Sequence, residues 1–309
     1  SGYFKISKMA ECTIPDGEDP SVEVAGEPGA EYLLAFDPSW AESESSDDFA
    51  IQIFKLNAER QMGTVVHSYA LSGANMKDHI RYFSYILQNF NIVMVVGYYA
   101  GGVQFISACN ESEIFKQDKL QLKIIEADFE RPENYNDDLQ KARNQYNKNE
   151  SKICYLRKPT SNWIRQANEL LQSNLDHSRI FFASKAIDES YQVQRRKRIP
   201  IDKLKYLKSK DSIEKMSKEA KMIDFIEHQS DMIELTKVEC ALIQITTTSQ
   251  GTQTFDLPSN LKRQSGRDKA RKDSYSALVL GNWMIKTYFD MLNFKQKEVV
   301  STFTPMFIN

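Results

Sequence analysis

An acidic side chain ends the first apolar segment of this chain. Asp37 follows the uninterrupted apolar residues 32–36 and precedes Pro38. An apolar run of this length before a chain-breaking residue indicates a buried central strand. The carboxylate would lie at the end of that strand, where open α/β sheets bind ligands, and could hold a divalent metal ion through oxygen. The alternative is that Asp37 and Pro38 only begin a turn.

Further acidic residues precede a second strand and a late helix. Asp47 and Asp48 stand directly before the apolar segment 49–56. Asp273 stands before a segment with helical spacing of apolar residues, and a basic cluster leads into it. This basic cluster consists of Lys262, Arg263, Arg267, Lys269, Arg271 and Lys272. A carboxylate at a helix start is often only a cap, but cations beside it would suit a nucleic-acid backbone.

Carboxylates from distant parts of a chain that meet at one end of a sheet are what two-metal phosphodiester cleavage requires. The two ions, about 3.5–4 Å apart, activate the attacking water and stabilise the leaving oxygen. The candidate members of such a set are Asp37, Asp48 and Asp273, which occur in this order along the chain. The set therefore favours hydrolysis of a nucleic-acid backbone.

The composition narrows the classes of protein further. Of the 309 residues, 41% are hydrophobic and 27% are charged, which is typical of a globular protein with a real core. Because the net charge is -2, any surface that binds nucleic acid must be local. No phosphate-binding loop or dinucleotide fingerprint is present, so we expect no nucleotide-driven motor. The scattered cysteines argue against a zinc site, and no apolar stretch is long enough for a membrane span.

The order of the expected elements predicts a mixed α/β sheet. Three apolar segments between residues 32 and 70, joined by short polar loops, indicate an antiparallel meander. A helix with one apolar face is expected after Asn75. Residues 91–96 are apolar on both faces, which indicates a parallel, covered strand. After a second helical segment, residues 120–125 alternate like a fifth strand.

The remaining segments are assigned mainly from composition. Residues 1–30 are acidic and contain Pro and Gly, so we expect an irregular leader that is weakly ordered except where Tyr3 and Phe4 dock. Residues 31–309 are expected to form one nuclease domain, in which residues 129–235 are a long, charged, mostly helical insertion. Strand character returns at residues 238–247, with residues 252–255 as a hairpin partner.

The chain resembles the nuclease domain of the large terminase subunit of tailed bacteriophages, which belongs to the ribonuclease H-like superfamily. The residues that carry the resemblance are 36–39, 48–51, 95–102 and 272–280. The resemblance implies a mixed sheet flanked by helices, and metal-dependent cleavage of concatemeric viral double-stranded DNA during genome packaging.

The resemblance also implies roles for individual residues. Asp37 and Asp273 would be catalytic and would ligate two Mg²⁺ or Mn²⁺ ions, Asp48 would support the ions, and the basic cluster would bind DNA phosphates. The implied partners are double-stranded DNA, the portal protein, the small terminase subunit and an ATPase motor domain that this chain lacks. The implied location is the host cytoplasm, at the procapsid portal, without membrane contact.

One departure from the family concerns the turn after the fourth strand, where the family has a second essential acid. Gly97 and Tyr98 occupy the matching positions, and neither ligates magnesium as a carboxylate does. Three explanations are natural divergence, an acid from elsewhere such as Glu126 or Asp128, or a substitution introduced at Tyr98. We favour the substitution, and the competing interpretation is that Tyr98 packs against the first helix.

Two alternatives to an active packaging nuclease follow from this departure. The chain could be a non-catalytic module that docks DNA or the portal on the same fold. It could also be a resolvase-like or transposase-like nuclease. Salt-sensitive DNA binding without cleavage would favour the docking module, and a preference for branched DNA would favour the resolvase.

Overall fold

Seven strands form one mixed sheet in the computed structural model, which describes residues 2–39, 47–125, 151–184, 218–264 and 269–302. The strands are β1 (Tyr32–Asp37), β2 (Phe49–Asn57), β3 (Met62–Leu71), β4 (Ile92–Tyr98), β5 (Gln121–Ile125), β6 (Ser151–Arg157) and β7 (Ile180–Phe182). Their order across the sheet is β5-β6-β4-β1-β2-β3-β7. A separate two-stranded sheet consists of β8 (Gln244–Thr247) and β9 (Gln253–Asp256).

Helices flank the large sheet on both faces. They are α1 (Ile6–Glu11), α2 (Met76–Asn89), α3 (Tyr99–Glu111), α4 (Glu113–Gln117), α5 (Ser161–Asp176), α6 (Lys218–Leu242), α7 (Ser259–Lys262) and α8 (Asp273–Thr302). The Phe36 ring contacts α2 and α3 through Phe83 and Phe105. The Gln52 side chain contacts α6 and α8 on the opposite face. None of the helices within the described ranges is long and apolar enough to cross a membrane.

The predicted meander and the predicted parallel strand are confirmed. β1 pairs antiparallel with β2, β2 pairs antiparallel with β3, and β4 pairs parallel with β1. The apolar residues 32–36 are fully buried, because β1 lies in the middle of the sheet with helices on both faces. The predicted α/β class with a mixed, helix-flanked sheet is therefore confirmed.

Helix α8 lies directly against the middle of the sheet. A methyl group at Gly281 would lie 2.2 Å from the Phe54 ring and 3.0 Å from the Ala35 side chain. Since this space is already filled, only glycine lets the helix backbone pack this closely on β1 and β2. The close packing places the first residue of α8 at the edge where β1 ends.

The prediction of a strand over residues 238–247 is wrong in its first half. Residues 238–242 are the last turn of α6, and the strand covers only Gln244–Thr247. Thr236, Glu239 and Cys240 are buried at helical spacing, while Val238 is 53% exposed. A helical face explains this burial pattern, and the local alternation of apolar residues was misleading.

Strands also lie within the predicted insertion. β6 pairs with β4 and β5, and β7 pairs with β3, so this part of the chain contributes to both ends of the large sheet. The helical spacing predicted there corresponds to α5 and the start of α6. Residues 129–150 and 185–217 lie outside the described ranges, so the domain boundaries stay a prediction.

The predicted irregular leader contains one short helix and contributes to the core. Phe4, Met9 and Cys12 are buried. The amide of Ile14 donates to the carbonyl of Phe182 at 2.9 Å, which ties this segment to β7. The docking of Phe4 was expected from the sequence, whereas the acidic and proline-containing composition did not reveal Met9 and Cys12 as apolar anchors.

Candidate acidic site at the end of the sheet

Asp37 is the last residue of β1 and lies at one edge of the sheet. Its backbone pairs with Ala50 near the start of β2, and the neighbouring Phe36 pairs with Gly97 near the end of β4. Since β1 and β4 run parallel, their carboxyl ends meet at this edge. The half-buried carboxylate of Asp37 therefore lies where a ligand of an α/β sheet is expected.

Asp273, the first residue of α8, lies at the same edge. Its Oδ2 accepts a hydrogen bond from the backbone amide of Asp48 at 2.9 Å. Burial raises the pKa of Asp273 to about 7, and the charges of Asp47 and Asp48 add to this effect. The Asp48 amide and Lys272 act in the opposite direction.

The carboxylates of Asp37 and Asp273 repel one another. Burial raises the pKa of Asp37 well above its usual range, and the charges of Asp273 and then Asp47 raise it further. Lys272 opposes this shift. The two acids predicted to be catalytic thus lie close enough for their charges to interact, although they come from opposite ends of the sequence.

The side chain of Asp48 is held by a cation. It is buried, and Arg271 Nε lies 3.3 Å from its Oδ1. Burial raises the pKa of Asp48, while Arg271 counteracts that effect. Asp48 therefore binds Asp273 through its backbone amide, and its carboxylate pairs with Arg271.

The basic cluster is largely occupied by ion pairs. Lys262 and Lys272 both contact Asp256, at 2.5 Å and 2.9 Å, and Lys269 contacts Asp47 at 3.2 Å. With the Arg271–Asp48 pair, four of the six predicted DNA-binding residues have acidic partners. Arg263 is exposed, and Arg267 lies outside the described residues. The three lysine pairs are partly exposed and therefore weak, so a phosphate backbone could compete for these lysines, whereas the Arg271–Asp48 pair is largely buried.

The structure distinguishes Gly97 from Tyr98, the two positions at which the sequence analysis expected an acid. A methyl group at Gly97 would lie 2.4 Å from the ring of Phe36, which is fully buried among other aromatic rings. No side chain fits at Gly97 without displacing that ring. Because side chains alternate along a strand, Tyr98 instead shares the sheet face of Asp37. Position 98 is therefore the place where an acid would join Asp37.

Tyr98 has a packing role, which removes the reason for favouring an introduced substitution. Its hydroxyl donates a hydrogen bond to the carbonyl of Ser276 in α8 at 2.7 Å. Its ring packs edge-on against Trp163 of α5, with ring centroids 6.1 Å apart. The predicted alternative of packing is thus closer to the structure, although the partners are α5 and α8 rather than the first helix. Glu126 and Asp128 lie outside the described residues.

Comparison with known proteins gives a likeness in fold. No family model matches the chain, and no curated protein matches it. The chain is similar to solved large-terminase nucleases of phages. That of thermophilic phage G20c is 11% identical, with a TM-score of 0.45 over 89% of this chain and 95% of that chain. That of Thermus phage P74-26 is 10% identical, with a TM-score of 0.45 over 89% and 92%.

A third similar structure is the nuclease domain of the large terminase subunit of bacterial virus Sf6, in a K428A mutant with manganese and beta-thujaplicinol. It is 11% identical, with a TM-score of 0.44 over 91% of this chain and 98% of that chain. Another structure of the G20c nuclease contains bound magnesium. At sequence identities this low, the similarity is one of backbone arrangement alone and says nothing about the role of any residue.

One buried acid of this site has no counterpart in the sequence prediction. Glu239 of α6 is 2% exposed, and its Oε2 accepts a hydrogen bond from the amide of Tyr275 at 2.9 Å. Burial raises the pKa of Glu239 to about 8, and the charges of Asp273 and Asp48 contribute. A glutamate in a charged helix gives no sequence signal, because helix surfaces carry many such residues.

The side chains of the site are hard oxygen donors of the kind that a divalent cation prefers, but the site offers fewer of them than such an ion usually takes. Asp37 and Asp273 offer carboxylate oxygens, whose pKa values are raised mainly by burial and further by neighbouring acids, and such oxygens are the ligands that a hard cation prefers. Within the described ranges, however, no three His, Cys, Asp or Glu side chains are grouped so that they could hold a metal ion. Asp37 and Asp273 are thus a pair of interacting carboxylates at this edge of the sheet.

Proposed function

We propose that this chain is a metal-dependent endonuclease domain that hydrolyses phosphodiester bonds of double-stranded DNA during viral genome packaging. The observation that supports the proposal is the pairing of Asp37 with Asp273 at the carboxyl end of β1. Two acids with unfavourable repulsion at a sheet edge are costly for folding, so their presence indicates a function that needs them.

Each residue of the site has a distinct task in this proposal. Asp37 and Asp273 hold Mg²⁺ or Mn²⁺, which when bound would polarise the phosphodiester group. The amide of Asp48 orients the Asp273 carboxylate. The basic cluster binds DNA phosphates, and the phosphates replace Asp47 and Asp256 as partners of the lysines.

The wider setting is part of the same proposal. A packaging nuclease would act at the portal in the host cytoplasm, together with a small terminase subunit and an ATPase motor domain. These partners rest on the family resemblance and on no contact within the described chain.

The direct test is nicking of supercoiled plasmid with Mg²⁺ or Mn²⁺. We expect Asp37→Ala and Asp273→Ala to abolish nicking, because each removes a metal ligand. Asp290→Ala is the matched control, since this exposed acid of α8 forms its ion pair with Lys286 on the same helix, away from Asp37 and Asp273. Nicking that persists in Asp37→Ala, or in the presence of a chelator, would refute the assignment.

A second candidate function is supported by Tyr98. With a phenol where the third acid would lie, the chain could bind DNA or the portal without cutting. This docking module predicts that wild-type protein binds DNA with a strong salt dependence and cuts no substrate with any divalent ion. Branched substrates in the same assay test the resolvase alternative, which requires faster cleavage of junctions than of linear DNA.

A further inference from the structure

Glu239 belongs to α6, and its side chain binds the first turn of α8. Its Oε2 accepts the amide hydrogen of Tyr275, the third residue of α8. Its Oε1 is buried and has no hydrogen-bond partner among the described residues. One carboxylate oxygen of Glu239 thus binds α8, and the other oxygen is buried.

The first turn of a helix needs such a partner. The first amides of an α-helix have no carbonyl acceptor within the helix, so their acceptors must come from elsewhere. In α8 the first internal hydrogen bond runs from Ser276 to the carbonyl of Lys272. The Tyr275 amide is therefore satisfied from outside, by Glu239.

Glu239 is part of a buried polar group that fixes this turn. The Gln52 amide donates to the carbonyl of Ser274 at 3.3 Å and to the hydroxyl of Thr236 at 2.9 Å. Thr236 and Glu239 both belong to α6, three residues apart on the same face. β2 and α6 together hold residues 274 and 275, directly beside Asp273.

We propose that Glu239 is a positioning residue for Asp273. By accepting the Tyr275 amide, it fixes the first turn of α8 and so the place of the Asp273 carboxylate beside Asp37 and under the Asp48 amide. The inference rests on the proposed function, because it assigns the task of a supporting acid within that site. Glu239 thus supports the site through the backbone of α8 and contacts no ion.

Replacement of Glu239 tests the role with readouts other than cleavage. In Glu239→Ala we expect hydrogen exchange at the amides of Tyr275 and Asp48 to become at least about tenfold faster. We also expect calorimetric Mn²⁺ affinity to fall about tenfold, as for other residues that orient metal ligands. Glu239→Gln keeps an acceptor oxygen for Tyr275 and should restore both quantities to within about threefold of the wild type.

Glu23 provides a matched control. It is also 2% exposed, but it binds the hydroxyl of Tyr32 and pairs with Lys55 at the other end of β1. Glu23→Ala should lower overall stability without changing exchange at Asp48 or Mn²⁺ affinity, once both are compared under conditions that keep the protein folded. If Glu239→Ala does not fold, Glu239→Met preserves the volume and removes the acceptor.

Two results would overturn the inference. One is that protection of the Asp48 amide and Mn²⁺ affinity survive in Glu239→Ala or Glu239→Met. The other is that Glu23→Ala reduces both quantities equally, which would mean that only global stability matters. Failure of the proposed function is recognised separately: wild-type protein would cut no DNA, while exchange at Asp48 would still show whether Glu239 positions Asp273.

Discussion

The backbone amide of Asp48 donates a hydrogen bond to Oδ2 of Asp273 at 2.9 Å. These residues are 225 positions apart in the sequence, and the bond joins the start of β2 to the start of α8. The carboxylate is thereby fixed at the sheet edge, close to Asp37 and partly removed from water. Burial and neighbouring acids disfavour the ionised form of both carboxylates, and this electrostatic cost is the basis of the first prediction.

The first expectation concerns stability against pH in the presence of chelator. The pKa of Asp273 is about 7 in the folded protein and near 3.8 without the fold. The folded state therefore holds the proton more tightly, and wild-type stability should fall relative to Asp273→Asn as pH rises from about 4 to about 7. Because a pKa unit corresponds to ~1.4 kcal/mol, the loss should be on the order of 2–4 kcal/mol.

Urea unfolding of both proteins across this pH range measures the difference, and Mg²⁺ should reduce it. Titration of His79, whose pKa burial lowers to about 4, affects both proteins equally and cancels. If the difference in unfolding free energy between the wild type and Asp273→Asn stays constant from pH 4 to pH 7, the fold does not raise the pKa of Asp273.

A second expectation concerns Gly97. In Gly97→Ala the new methyl would meet the Phe36 ring at 2.4 Å, and that ring cannot shift because Phe83 and Phe105 enclose it. We expect a loss of about 1–3 kcal/mol in the free energy of unfolding. Urea denaturation is the measurement.

Gly102→Ala is the matched comparison for Gly97→Ala. Its new methyl would lie 2.9 Å from the end of the Leu156 side chain, which can rotate away. The loss should therefore be smaller than for Gly97→Ala. Equal losses would show that Phe36 is more mobile than its surroundings suggest.

A third expectation concerns Tyr98. Tyr98→Asp places a carboxylate on the face of Asp37 and should raise Mn²⁺ affinity at least about tenfold, since the site gains a charged ligand. Plasmid nicking should increase in parallel. The melting temperature without metal should fall, because the hydrogen bond to Ser276 and the contact with Trp163 are lost.

Tyr98→Phe separates these effects. It keeps the ring and removes only the hydroxyl, so it should lower stability by about 1 kcal/mol and leave Mn²⁺ affinity unchanged. Unchanged Mn²⁺ affinity in a folded Tyr98→Asp protein would place the missing acid elsewhere in the chain.

A fourth expectation concerns DNA binding by the basic cluster. Lys269→Ala removes a cation whose ion pair is with the exposed Asp47, so the slope of log K against log salt should become shallower by about one. Lys286→Ala is the control, because Lys286 pairs with Asp290 within α8 and lies outside the cluster. Fluorescence anisotropy with a labelled duplex at several salt concentrations gives both slopes. Equal slopes for the two variants would remove Lys269 from the DNA-binding surface.

The sequence by itself was sufficient to predict the central strands of the sheet and the positions of Asp37 and Asp273 at the ends of their elements. The apolar run before Asp37, the short loops of the meander and the two-faced apolar segment of β4 depend on local periodicity, which the chain carries in its residue types. The acids at the end of β1 and the start of α8 were visible for the same reason. Strand β6 was not, because its apolar residues 153–156 lie between Lys152 and Arg157 in a highly charged segment.

Only the tertiary structure decided how the site is completed and which positions it excludes. Phe36 fills the space beside Gly97, Tyr98 binds α8, and Glu239 holds the first turn of that helix. Each of these facts joins residues from different elements, and no local pattern records such a contact. The burial that shifts the pKa of Asp37 and Asp273 likewise exists only once the helices cover the sheet.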